Sequence, residues 1–219
     1  MAAGGEVAVV VGASGGLGRA LIDACAGEGM RVAAVSRHAS ARAAQGVRTY
    51  PCDATRRPEV RRTFEAIRAD LGEPDLVVHN IGAWWPGSVL DVTPDELEEA
   101  WRAGCLSGFI VGQEAALAMV GRGRGTILFS GATAALRGSK RFVALAVPKA
   151  GLRMVAQSMA RELGPLGVHV AHVVIDGQIG ARGGRLAPDD IARIYLMLHR
   201  QPRGAWTHEL DLRAHDEPF

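Results

Sequence analysis

A short apolar run, Val7–Val11, leads directly into Gly12-Ala13-Ser14-Gly15-Gly16-Leu17-Gly18, and residues at helical spacing follow at once. This order of strand, glycine turn and helix constrains the fold more than any other feature. The run has no polar alternation, so it reads as a strand covered on both faces, as in a parallel sheet. Residues 17–28 place Leu17, Ala20, Leu21 and Ala24 on one helical face, and Gly29 stops the helix.

The alternation continues along the chain. Arg31–Ser36, 47–50, 75–79, Gly125–Ser130, 168–175 and 206–212 read as further strands. Helices are expected over 58–71, from Thr93 to about Val120, over Val143–Leu163 and over Pro188–His199. Thr93-Pro94-Asp95-Glu96 combines a capping box with proline at the first helical position. The expected fold is α/β: a single doubly wound parallel-sheet domain of about seven strands flanked by helices. The 219 residues suit one such domain. No repeat or linker divides it, and the Gly/Arg-rich segment 180–188 is its least regular stretch.

Net charge is +2, and the arginines of the second helix are scattered like a solvated face. Neither nucleic acid nor an anionic membrane is an expected partner. Cys25, Cys52 and Cys105 lie too far apart for a zinc site or a disulfide framework, so no metal is expected. Free cysteines point to a reducing cytoplasm. No apolar run reads as long enough to cross a bilayer.

The glycines have a steric reason. A turn between strand and helix needs backbone conformations that a Cβ forbids, and a pyrophosphate must approach the main chain closely. The helix N-terminus then offers free N–H groups to the phosphates. The candidate cradle is Gly12, Ser14, Gly16, Leu17 and Gly18; the alternative is a plain turn. The second strand ends in Ser36-Arg37-His38. A carboxylate there would bind a ribose 2′-hydroxyl, whereas Arg37 suits a 2′-phosphate. NADP is therefore favoured over NAD, against a solvated surface arginine as the alternative.

The G-x-x-x-G-x-G spacing resembles the short-chain dehydrogenase/reductase family, and the resemblance covers nearly the whole chain. It implies a Rossmann-type domain. It also implies that Asp53 bonds the adenine, that Asn80 and Gly82 of Asn80-Ile81-Gly82 steady the sheet beside the cofactor, and that Lys149 bonds the nicotinamide ribose. For Asp53 and Asn80, a turn-forming role after a strand remains the alternative.

The same resemblance exposes departures. The family's proton-donating tyrosine, four residues before the lysine, is Leu145 here; its serine is Ala132 and its asparagine Cys105. Asp176-Gly177 stands where Pro-Gly is expected. The chain also resembles an unusual branch with Phe at the tyrosine position and similar Gly-Ala-Thr-Ala and Ile-Asp-Gly stretches. Candidate catalytic residues are Lys149, Asp176, Thr133, Ser130 and His79. Asp176 would stabilise a cationic substrate such as an iminium ion, or else is a turn aspartate. Thr133 and Ser130 would polarise a substrate, or else are strand-end hydroxyls bonded to the backbone. His79 titrates near neutrality, or else is bonded to a carbonyl. Trp84 and Trp85, with Ala132 and Leu145, form the candidate substrate pocket; a core edge or subunit contact is the alternative for the indoles.

The expected function is NADP-dependent reduction of a carbonyl or imine of a small molecule without the usual tyrosine. A non-redox enzyme (cyclisation, isomerisation or dehydration) and a catalytically silent nucleotide-binding protein are the alternatives. The resemblance further implies a homodimer or homotetramer through the family's fourth and fifth helices. Here these carry Ala115, Ala116, Ala118 and Met119 on one, and Met154, Val155, Ser158 and Met159 on the other.

Overall fold

The computed structural model describes residues 5–38, 46–82, 85–180 and 186–216. Its strands are β1 (Val7–Val11), β2 (Arg31–Ser36), β3 (Val47–Pro51), β4 (Leu76–His79), β5 (Gly125–Ser130), β6 (Val168–Asp176) and β7 (Glu209–Arg213). They form one sheet in the order β3-β2-β1-β4-β5-β6-β7, and every pairing is parallel. The helices are α1 (Gly16–Gly27), α2 (Arg57–Asp70), α3 (Pro94–Trp101), α4 (Ser107–Val120), α5 (Val143–Leu163) and α6 (Pro188–His199).

Alternate residues of each strand supply two cores. Val7, Val9, Val11, Ile127 and Phe129 pack under α2, α4 and α5. Ala8, Val10, Leu76, Val78 and Leu128 pack under α1 and α6. All five residues of β1 are buried, which explains its unbroken apolar run. The strand order reverses direction between β1 and β4, and a crevice for ligands opens beyond the carboxyl ends of such neighbours. Asn80 N donates to Val11 O at 2.8 Å, which ties the two strand ends together.

Three expectations need correction. The helix starting at Thr93 has both arms of its capping box and Pro94 in its first turn, but it is not uniform. A π-helical stretch, Arg102–Leu106, separates α3 from α4. It packs tightly against α5. A Cβ on Gly104 would lie 2.8 Å from Pro148 Cβ, and one on Gly151 would lie 2.7 Å from Cys105 Sγ. Second, the span Pro94–Val120 is long and apolar enough to cross a membrane, with mean hydropathy 1.4. Its most apolar part is mostly buried inside the protein, so it packs as a core helix. Third, the last strand begins at Glu209, not 206, because Arg203–Ala205 forms a 3-10 turn. Trp206 instead stacks on His169, ring centroids 5.0 Å apart and 5° from coplanar.

Candidate functional site

The glycine turn divides into two kinds of position. Gly12 has φ +92°, and a Cβ there would meet Asn80 O at 2.6 Å. A Cβ on Gly18 would meet Gly12 O at 2.3 Å. These two glycines let main chain pack on main chain. Gly15 and Gly16 have φ +60° and +48°, with nothing within 4 Å of an added Cβ. They face open space at the start of α1, whose first turn holds no acidic residue and whose N-cap makes no side-chain bond. The turn thus combines unspent N–H groups with room for a phosphate.

This space belongs to a cleft of about 520 Å³. Gly12, Ser14, Gly16 and Leu17 form its floor, and Asn80, Gly82 and Trp85 its β4 side. Ser36, Arg37 and Asp53 close the β2–β3 end. Asn80 Nδ2 donates to Gly12 O at 3.3 Å, so the side chain holds the glycine turn against β4. Asp53 Oδ1 accepts from Thr55 N at 3.0 Å and Thr55 Oγ1 at 2.7 Å. Burial alone would raise the Asp53 pKa, but these bonds and the charges of Arg56 and Arg37 carry it below its ordinary value. Arg37 is therefore close enough for its charge to be felt within the cleft. Lining residues that escaped the sequence reading include Thr55, Glu99 and Ile179. The Asp-x-Thr spacing signals Thr55; nothing local signals the other two, which reach the cleft only through tertiary packing.

Lys149 lies deeper, 5% exposed, in the first half of α5. Its Nζ donates to Ser130 O at 2.7 Å and Ile81 O at 3.3 Å, bridging the ends of β5 and β4. Loss of solvent pushes its pKa down to about 8. An ammonium has three hydrogens, so two are spent on these carbonyls and one is left for a ligand.

Two candidate catalytic residues are withdrawn by the geometry. Ser130 Oγ is buried and bonded to the Tyr195 hydroxyl at 2.8 Å, on the α6 side of the sheet. Its hydroxyl has no access to substrate. His79 is fully buried, with Nε2 2.8 Å from Ser107 Oγ. Ser107 already donates to Ala103 O, so its oxygen accepts and His79 donates through Nε2. Burial, then the charge of Lys149, hold its pKa down to about 3. It is a core histidine and no titrating acid at neutral pH.

Thr133 and Asp176 come together. Thr133 Oγ1 donates to Asp176 Oδ1 at 2.6 Å. Arg213, the in-register neighbour of Asp176 on β7, ion-pairs with its Oδ2. The charge of Asp176 is thus already matched within the protein. At the other end of the same ladder, four pairs away, His172 Nδ1 donates to Glu209 Oε2 at 3.1 Å, and Arg153 of α5 grips both Glu209 oxygens at 2.7 and 2.8 Å. The His172 ring abuts Gly131, where a Cβ would lie 2.2 Å from Nε2. Ala132 and Leu145 are both half-buried, Leu145 in the first turn of α5. Trp84 and residues 181–185 lie outside the described residues.

A glycine turn between β1 and α1, an Asn after β4 and a lysine on α5 make a nucleotide-binding arrangement, and the family model described as short chain dehydrogenase matches residues 6–178. The chain belongs to the short-chain dehydrogenase family. Among characterised members, it is 28% identical to the Escherichia coli 3-oxoacyl-[acyl-carrier-protein] reductase FabG, over 85% of this chain and 78% of that protein. It is 30% identical to the Mycobacterium tuberculosis 3-oxoacyl-[acyl-carrier-protein] reductase MabA, over 78% and 68% respectively. Among solved structures, a short-chain dehydrogenase from Rhodopseudomonas palustris superposes with TM-score 0.86 at 35% identity, covering 96% of this chain and 98% of that one. A metagenomic short-chain oxidoreductase in complex with NADP gives TM-score 0.81 at 25% identity, covering 95% and 96%.

Proposed function

We propose that this short-chain dehydrogenase is an NADP-dependent oxidoreductase that reduces a carbonyl or imine of a small molecule without a tyrosine acid. The observation that carries the reading is one cleft that combines the open glycine turn, the α1 N-terminus and Arg37. The geometry fits a phosphorylated dinucleotide. Gly15 and Gly16 leave the space a pyrophosphate needs, and α1 offers it N–H donors. Arg37 is the group that would pair with a 2′-phosphate, and the absence of an acid at that strand end removes the usual partner of an unphosphorylated ribose. The metagenomic relative was solved with NADP, which supports the same choice.

A bound nicotinamide supplies hydride chemistry. This chain's residues do the rest. The one remaining hydrogen of Lys149 is available to a ribose hydroxyl. Ala132 and Leu145, at the family's serine and tyrosine positions, offer neither donor nor acceptor, so they shape the pocket and move no proton. A positioned acid contributes about 10²–10⁴ in rate, and its loss weighs against ordinary ketone reduction. Three buried thiols support a reducing, cytoplasmic setting. The groove along Phe109, Ala116, Met154 and Met159 of α4 and α5 supports a homo-oligomer, which solution mass tests directly.

Fluorescence titration with NADPH and NADH tests the cofactor reading. Saturable binding tighter for NADPH is expected. Arg37→Glu should weaken NADPH at least about tenfold while sparing NADH, since one charge-assisted bond becomes a repulsion. No saturable NADPH binding would overturn the proposal.

A further inference from the structure

The turn after β5 packs against the start of α5 and brings Thr133 to Asp176. A threonine hydroxyl has one hydrogen and two lone pairs. That hydrogen is committed to Asp176 Oδ1 at 2.6 Å, a short bond to a charged acceptor. Asp176 Oδ2 is itself held by the Arg213 guanidinium. Both carboxylate oxygens are thus occupied as acceptors. Thr133 is half-buried, and with its hydrogen committed its hydroxyl has only lone pairs left to offer. The pair therefore recognises by hydrogen-bond direction: it accepts from a ligand and cannot give.

A ketone oxygen needs the opposite. It must receive a hydrogen bond as it gains charge, and Ala132 and Leu145 beside this turn supply none. We infer that Thr133 is the specificity-determining acceptor of the substrate pocket, and that the substrate presents an N–H group to it, as a protonated imine does. Asp176 acts through Thr133 as a positioning residue, and Arg213 holds Asp176 in place.

The proton balance agrees. Reducing an iminium adds hydride to carbon and moves the C=N π pair onto nitrogen, so the nitrogen keeps its hydrogen and no protein group donates one. The co-reactant is a reduced nicotinamide, left oxidised. An alcohol also has a donor hydrogen, but its oxidation must leave that proton somewhere. Both oxygens of Asp176 already accept, one from Thr133 and one from Arg213, so neither is placed to take it. The matched charge of Asp176 also means that discrimination comes from donor geometry more than from bulk attraction of cations.

This inference rests on the oxidoreductase reading, and binding measurements separate the two. The probes are piperidinium, the saturated counterpart of a cyclic imine, and cyclohexanone, a ring of similar size with only an acceptor. Affinities are read by ligand-observed NMR on the protein saturated with NADP, with NADPH titration as a check that each variant is folded. Wild type should bind piperidinium at least about tenfold tighter than cyclohexanone. Thr133→Ser, which keeps the hydroxyl, should retain the ratio. Thr133→Val, of the same shape without the acceptor, should bring it close to one. Equal or tighter cyclohexanone binding, undetectable piperidinium binding, or an unchanged ratio in Thr133→Val would each overturn the inference. Loss of NADPH binding in wild type would instead overturn the cofactor reading.

Discussion

Replacing Lys149 with methionine should change how stability depends on pH. The ammonium is 5% exposed and its pKa falls from 10.5 to about 8, because folding strips away its water. Between those values the unfolded chain binds the proton and the folded chain does not. Stability therefore rises with pH across that window, and the folded state carries the full penalty below pH 8. That fall corresponds to about 3–4 kcal/mol at about 1.4 kcal/mol per pH unit. Methionine keeps the unbranched length and removes the titration. It also removes two hydrogen bonds to Ser130 O and Ile81 O, each worth about 1.5–3 kcal/mol for a charged donor. At neutral pH the gain and the loss nearly offset, so absolute stability is a poor readout. The slope is a good one. Urea unfolding of both proteins at intervals from pH 7 to 10 should show wild type gaining up to about 3 kcal/mol relative to Lys149→Met. Other groups titrating in this range are common to both proteins and cancel. Parallel stability curves would refute the burial argument.

Two other substitutions probe the turn and the core. Gly18→Ala forces a Cβ within 2.3 Å of Gly12 O, so it should cost about 1–3 kcal/mol or more and abolish saturable NADPH binding, measured by thermal melting and fluorescence titration. Ser107→Ala strands the buried Nε2–H of His79 and should cost about 1–3 kcal/mol with NADPH affinity unchanged. A fall in NADPH affinity for this variant would return His79 to the functional site.

The alternation of apolar runs and helical periodicity was enough to read the layered parallel sheet, because local burial patterns depend only on neighbours along the chain. Val7–Val11 and Val143–Leu163 occupy the expected residues. The glycine turn was legible for the same reason: its steric demand is local. The π-helical break at Arg102–Leu106 was not, since the capping and periodicity of 93–120 describe one uninterrupted helix.

Side-chain roles divided along another line. His79, Ser130 and Asp176 each had the right chemistry for a reactive site, yet chemistry depends on what a group faces. His79 faces Ser107 in the core, Ser130 faces Tyr195 across the sheet, and Asp176 faces Arg213 on the last strand, 37 residues away. The chain order determined that this protein would build a parallel sheet with a glycine turn at its first strand end, because those demands are met within a dozen neighbouring residues. Which hydroxyl keeps a lone pair outward, which carboxylate is matched and which lysine is dry were decided only by tertiary structure. Burial and hydrogen-bond direction depend on partners that the sequence holds far apart.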